Sequence, residues 1–235
     1  MRKLYLILFA TTIVAGICKS QEPRNYFDAS IKVDANNIPL NNKQFYFPEK
    51  LLPKVEMIWE MEHDSLIKII PKIITNEIDS FYLTWYSRFL YAMKEPLLFN
   101  HQLDKEVYRF TWLRTFENPI MIRIEKDKNV VFLRWKMTDG KGGYEPGQII
   151  LDEGRIITIP EWKKFISLVN SAKFWKSQRS GAFGTDGSEW ILEGVEPTRY
   201  YVTSVWLPHK QGDFYKIGAF LLELTDFKIE EEDKY

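Results

Sequence analysis

Cysteine is nearly absent from this sequence, since Cys18 is the one cysteine among 235 residues. It lies at the end of an N-terminal apolar stretch that has the features of an export signal. The processed chain would then hold no thiol, which excludes disulfides, thiolate nucleophiles and cysteine metal ligands. The three histidines stand far apart in the sequence, with no metal-ligand spacing. We therefore expect no metal site and no cofactor.

Several motifs that carry chemistry are also missing. No Gly-x-Ser-x-Gly nucleophile elbow occurs in the chain. The glycine-containing run 181–187 follows no predicted strand and lacks the lysine of a phosphate-binding loop. The formal net charge is +0 at pH 7, so the chain lacks the excess of positive charge that is typical of nucleic-acid-binding proteins.

Long apolar runs are absent beyond the first 20 residues. Positions 2 and 3 carry positive charge and residues 4–17 are almost wholly apolar. Polar residues follow from Ser20 onwards. This order predicts a signal peptide over 1–20, cleaved after Ser20. The apolar run is about 14 residues, shorter than the roughly 20 that span a bilayer, so we expect no transmembrane helix after cleavage.

Export predicts a periplasmic or secreted protein. Cleavage would remove three cations and no acid, so the 32 acidic residues would exceed the basic residues by three. Cys18 leaves a second interpretation open, because a cysteine at this place can become the lipid-modified first residue of a bacterial lipoprotein. The bulky Ile17 before it argues against that anchor.

The rest of the chain predicts one folded unit between a loosely ordered extension and a solvated acidic tail. The predicted organisation comprises a loosely ordered extension at 21–45, a single domain at 46–227 and an acidic tail at 228–235. Within the domain we expect a helical part at 48–96, punctuated by prolines, and a sheet with further helices at 106–225.

The clearest helix of the first part is predicted at about 77–94. Its apolar side chains recur at helical spacing and are expected to face the core. They are Ile78, Phe81, Trp85, Phe89 and Met93.

From residue 106 the apolar pattern changes to a period of two. It predicts strands at about 106–116, 120–125 and 130–137, joined as an antiparallel meander because the connections are short. Short strands at 148–151 and 155–157, and a hairpin over 190–207, complete the sheet. Thr158 and Glu161 have the spacing of a capping box, so a helix is predicted at 158–176, with a last helix at about 213–225. The expected fold class is α+β, an antiparallel sheet of five to seven strands with helices on one face, plus the N-terminal helical region.

Candidate binding residues are arginines and their neighbours on this sheet. Arg109 and Arg123 would lie on their strands' polar side, where Glu193 could join them, and such a cluster could either grip a carboxylate or sugar or form a structural salt-bridge network. The candidate ligand-binding residues are Arg109, Arg114, Arg123, Tyr144, Asp186 and Glu193.

A hydrolytic alternative remains open at this point. Asp186, Glu189 and Glu193 offer carboxylates that could divide acid and base roles. Solvated turns and an ion pair with a strand arginine explain the same residues without catalysis.

Three motifs together resemble an uncharacterised family of bacterial proteins, many of them exported. They are Tyr-Arg-Phe-x-Trp-Leu-Arg-Thr-Phe at 108–116, Gly-Gly-Tyr-Glu-Pro-Gly at 142–147 and Asp-Gly-x-x-Trp-Ile-Leu-Glu-Gly at 186–194. The resemblance covers about residues 105–225 and implies a single folded unit, with no known activity. The sequence thus favours an exported envelope or periplasmic protein that binds a partner or small ligand without catalysis, over a hydrolase of envelope material.

Overall fold

The computed structural model describes residues 28–62, 65–100, 105–177, 184, 186–230 and 234–235, with side chains at all of these except 50 and 53–78. The predicted signal peptide at 1–20 therefore lies outside the described residues. None of the helices in the described parts of the chain has the length and apolar character needed to cross a bilayer.

A six-stranded antiparallel sheet forms the centre of the molecule. Its strands are β3 (Glu106–Arg114), β4 (Ile120–Asp127), β5 (Val130–Thr138), β6 (Ile149–Ile157), β7 (Ser188–Glu196) and β8 (Arg199–Trp206). Their spatial order is β6-β5-β4-β3-β7-β8. The meander and the hairpin read from the period of two are confirmed. One strand differs: β6 runs unbroken through 152–154, where the sequence predicted two separate short strands at 148–151 and 155–157.

The first face of the sheet carries a core of aromatic rings. Tyr108, Phe110 and Trp112 alternate along β3 and are almost fully buried. Helices α2 (Ile159–Ser171) and α3 (Asp213–Glu223) cover this face. The predicted α+β class, with an antiparallel sheet of five to seven strands and helices packed on it, is confirmed.

The predicted capping box sets the start of α2. The Thr158 side chain accepts from the Glu161 backbone N–H, and the Glu161 carboxylate accepts from the Thr158 backbone N–H at 2.6 Å. Both contacts satisfy donors that the first helical turn leaves without a partner.

The second face is covered by α1 (Ser80–Ala92) and by the segments beside it. Val107 and Leu113 of β3 and Ile191 of β7 meet Leu83 and Leu90 of the helix in one apolar cluster. Because both faces are covered, every residue of β3 from 107 to 114 is buried.

The predicted helical part at 48–96 is α-helical only near its end. A short 3-10 helix at Glu49–Leu51 is followed by β1 (Pro53–Glu62) and β2 (Ser65–Ile78), which pair as a separate antiparallel hairpin. The stretch 67–78 is rich in isoleucine, whose β-branched side chain favours extended backbone. Prolines, which predict helix ends, are here accommodated in a two-stranded sheet that has only edge strands.

The predicted buried stripe of α1 is also partly wrong. Phe89 and Met93 are buried, whereas Phe81 is 67% exposed, and the buried face instead includes Leu83 and Tyr86. This helix carries aromatic residues almost all round, so its sequence did not indicate which side meets the sheet.

The predicted extension and the predicted tail both have described parts that contact the domain. In the extension, the Leu97 backbone N–H donates to the Asn37 carbonyl at 2.9 Å, and the Asn37 side chain donates to the Leu97 carbonyl at 2.5 Å. In the tail, the Tyr235 main-chain oxygen accepts from the indole N–H groups of Trp112 at 3.1 Å and Trp190 at 2.9 Å.

Candidate functional site

Three arginines face one another across adjacent strands on the second face of the sheet. Arg109 of β3 lies directly opposite Arg123 of β4, and Arg123 lies opposite Arg134 of β5. We call Arg109, Arg123 and Arg134 the arginine row. Like charges at directly opposed positions destabilise a sheet, so the row requires acidic partners.

Glu193 of β7 neutralises the inner end of the row. The Arg109 Nε donates to Glu193 Oε2 at 2.9 Å, and the Tyr200 hydroxyl donates to Glu193 Oε1 at 2.7 Å. Both members of the ion pair are 1% exposed. Burial raises the pKa of the Glu193 carboxyl, while the Arg109 guanidinium opposes that rise. Because the pair is sealed from solvent and each carboxylate oxygen already has a donor, it acts as a structural contact.

Glu95, which follows α1, neutralises the middle of the row. Its carboxylate pairs with Arg123, lies 3.7 Å from Arg109 Nη1, and has Lys136 Nζ at 2.8 Å from its Oε1. Glu95 is 0% exposed. Lys136 also donates to the Met93 carbonyl at 2.6 Å, which ties β5 to the end of α1. One buried acid therefore holds three cations in place.

The outer end of the row opens into a cavity of about 630 Å³, which we call the polar cavity. Its walls are the segments 33–38 and 94–98 together with β3, β4, β5 and β6. The cavity contains charged side chains of both signs. They are Asp34, Lys94, Lys105, Arg123, Glu125, Arg134, Lys136 and Asp152.

Most of these charges are paired with one another. Arg134 makes a bidentate contact with Asp152, with Nε–Oδ1 at 2.7 Å and Nη2–Oδ2 at 2.8 Å. Glu125 accepts from Arg123 Nε at 2.6 Å and pairs with Lys105. Burial alone would raise the pKa of the Glu125 carboxyl, but Arg123 and Lys105 outweigh it and hold that pKa below its usual range. The cavity lining is therefore an ordered array of ion pairs rather than loose surface charges.

The structure divides the predicted binding residues among separate places. Arg109, Arg123 and Glu193 come together, although only Arg123 of these lines the polar cavity. Arg114 lies on the first face, with its guanidinium 4.4 Å from the ring centre of Trp112. Asp186 is exposed just before β7.

Tyr144 belongs to a second concavity of about 430 Å³ near the start of α1. Its ring is 57% exposed and lies 6.3 Å, centre to centre, from that of Phe116. The Trp85 indole N–H donates to the Gly142 carbonyl at 2.8 Å, which anchors the glycine loop to the helix. This aromatic groove is distinct from the polar cavity, so Tyr144 supplies no stacking surface beside the arginine row.

The three carboxylates of the hydrolytic alternative have different environments. Glu193 is engaged with Arg109 and Tyr200, Glu189 is 1% exposed, and Asp186 is on the surface. Glycoside cleavage needs two carboxyl groups that flank one open substrate site. Among the described residues, this trio does not provide such an arrangement.

Several residues of the polar cavity were not singled out by the sequence. Arg134 and Lys136 share a strand face with each other, a period-two signal that could have linked them to Arg123. Glu95 gave no such signal, because it appeared only as the residue before the helix-ending Pro96. Within the part of the chain that the structure describes, no group of three or more His, Cys, Asp or Glu side chains could hold a metal ion.

Comparison with protein-family models and with curated proteins found no match for this chain. The resemblance to an exported bacterial family, based on the three motifs, stays a prediction. Evidence for function therefore comes from the geometry of the polar cavity and from the N-terminal sequence.

Replacing Glu95 with glutamine should destabilise the protein strongly. Glu95→Gln leaves Arg109, Arg123 and Lys136 without their shared counter-charge, and breaking a buried ion pair costs about 3–5 kcal/mol of unfolding free energy. Urea denaturation measures the loss. Glu145→Gln is the control, since Glu145 pairs with Arg88 at the surface and should change stability by less than about 1 kcal/mol. Equal stabilities for the two variants would contradict the central role of Glu95.

Glu125 should make stability depend on pH in the acidic range. Its pKa in the folded protein lies below the ordinary value, so its contribution is complete above about pH 4.3 and is lost as the pH falls through the folded pKa. The difference in unfolding free energy between the wild type and Glu125→Gln should therefore be largest near neutral pH and shrink on acidification. Denaturation curves at several pH values measure it. A difference that stays constant or grows in acid would refute the assignment.

Proposed function

We propose that this protein is exported and binds a small polar ligand in the polar cavity without converting it chemically. The observation that carries the proposal is an open cavity whose charged walls are fixed by ion pairs. Binding sites gain affinity when their polar groups are held in place before the ligand arrives. Export is supported by the cationic, apolar and polar order of the first residues.

The proposal for binding rather than catalysis follows from the state of the acidic residues. Glu125 and Asp152, the acids at the cavity wall that pair with cations, both have pKa values below their usual range. A general acid near neutral pH needs a raised pKa, because it must carry the proton that it donates. Their ion pairs hold both side chains ionised, which suits ligand recognition better than proton transfer.

Binding at the polar cavity is tested by a block at its rim. Ala35 is exposed and lines the cavity, so Ala35→Trp places a bulky ring at the entrance. Compounds from a library of small polar metabolites are screened by ligand-observed NMR, and each one that binds is incubated with the protein and followed for conversion. We expect binding without conversion, weakened by about tenfold or more in Ala35→Trp, equivalent to about 1.4 kcal/mol.

The matched control is Thr198→Trp, which adds the same ring at the exposed turn between β7 and β8. It should bind the same compounds with unchanged affinity. Failure of every compound to bind, or equal weakening by the two tryptophans, would overturn the cavity as the site. Turnover of a bound compound would overturn the non-catalytic role.

Export is tested by the mass of the mature protein. The full chain is expressed in a bacterial host, and the protein is recovered from cytoplasmic, periplasmic and membrane fractions. We expect a periplasmic or secreted product that begins at Gln21. A membrane-bound product with lipid-modified Cys18 would support export but replace the soluble form by the anchored one. An uncleaved cytoplasmic chain would contradict export.

A further inference from the structure

We propose, building on the proposed binding function, that the polar cavity selects ligands with an anionic oxygen group, a carboxylate or a phosphate, and that Lys94 binds that group. The charge balance of the cavity, the backbone of Lys94 and the position of the residues around it support this assignment.

Charge balance singles out Lys94 among the cations of the cavity. Arg123 and Lys136 share Glu95, Arg134 is held by Asp152, and Lys105 pairs with Glu125. Within the described residues, the Lys94 ammonium has no acidic partner at all, and its side chain is exposed.

The remaining acid of the lining is already engaged by its own turn. Asp34 Oδ1 accepts from the backbone N–H groups of Asn36 and Ile38, each at 2.8 Å. These bonds position the Asp34 carboxylate in its turn but do not neutralise it. With Glu95 included, four carboxylates face the five cations of the lining, so one positive charge remains in excess. A ligand that supplies one negative group would complete the balance, and a charge-assisted contact of this kind is stronger than a neutral hydrogen bond.

The backbone fixes the position of Lys94. Its φ of 52° lies in the left-handed region, where glycine or asparagine is usual just after a helix. Its N–H donates to the Tyr91 carbonyl at 2.9 Å, and its own carbonyl accepts from Lys136 Nζ at 3.3 Å. The start of the side chain is therefore held at the cavity wall, while the ammonium remains able to reach a ligand.

One local effect opposes an anion at this place. The carbonyl groups at the end of a helix carry partial negative charge and repel negative ligands. At the end of α1, however, the carbonyls of Met93 and Lys94 both accept from Lys136. The positive charge of Lys136 beside the end of the helix therefore opposes that repulsion.

Lys128 provides a closely matched control for Lys94. It is exposed, lies in the turn between β4 and β5, and has a φ of 53°. Lys128 does not line the polar cavity. Lys94→Gln and Lys128→Gln therefore remove the same charge from the same backbone conformation, and they differ in whether the charge faces the cavity.

The experiment titrates inorganic phosphate, propionate and glucose into the full-length protein and follows backbone amide NMR signals. We expect phosphate or propionate to shift signals of residues 33–38 and 94–98, with glucose much weaker. Lys94→Gln should weaken anion binding about tenfold, the loss expected for one charge-assisted hydrogen bond, and Lys128→Gln less than about twofold. Lys94→Arg, which keeps the charge, should retain most of the affinity.

The outcomes separate this inference from the proposed function. A preference for phosphate or for propionate identifies which anionic group the cavity takes, and either supports the inference. Equal weakening by Lys94→Gln and Lys128→Gln would show unspecific attraction and overturn it. Cavity binding of glucose or other neutral compounds, unaffected by Lys94→Gln, would also overturn it while leaving the binding function intact.

Discussion

The buried carboxylate of Glu95 is the contact on which the second face of the sheet depends. β-strand pairing brings Arg109 and Arg123 into direct opposition, and Lys136 lies on the next strand. Cations so close together, and removed from water, would oppose folding unless an acid joined them. Glu95 supplies that acid from the end of α1, so the ion cluster fixes the helix against the sheet as well as neutralising the strands.

The two faces of the sheet are therefore stabilised in different ways. The first is closed by aromatic rings and two helices, and its stabilisation is that of an apolar core. On the second, exposure rises along the arginine row, from 0% for the Arg109 side chain and 9% for Arg123 to 41% for Arg134. The buried inner end of the arginine row holds its side chains in fixed positions. The exposed outer end lets a ligand reach the row from solvent. A ligand in the polar cavity would therefore meet side chains whose positions are already determined by the core.

The sequence predicted those features that depend on neighbouring residues. The period of two placed β3, β4 and β5 correctly, and Thr158 with Glu161 marked the start of α2. It also brought Arg109, Arg123 and Glu193 to one side of the sheet, because strand faces follow from alternation. It did not indicate which side of α1 is buried, nor that Glu95 meets Lys136. Those features depend on how distant segments pack. The residues next to α1 or next to Glu95 in the sequence do not indicate which distant segment each of them contacts.

The position of Glu95 in the chain has a consequence for cooperativity. The acid comes from the segment before β3, whereas the cations that it neutralises come from β3, β4 and β5. A fragment beginning at β3 would hold the strands and helices of the first face but would lack the carboxylate that Arg109, Arg123 and Lys136 share. The second face of the sheet therefore depends on the segment that precedes it. We expect docking of α1 and completion of this face to be energetically coupled, across the boundary between the two halves of the sequence.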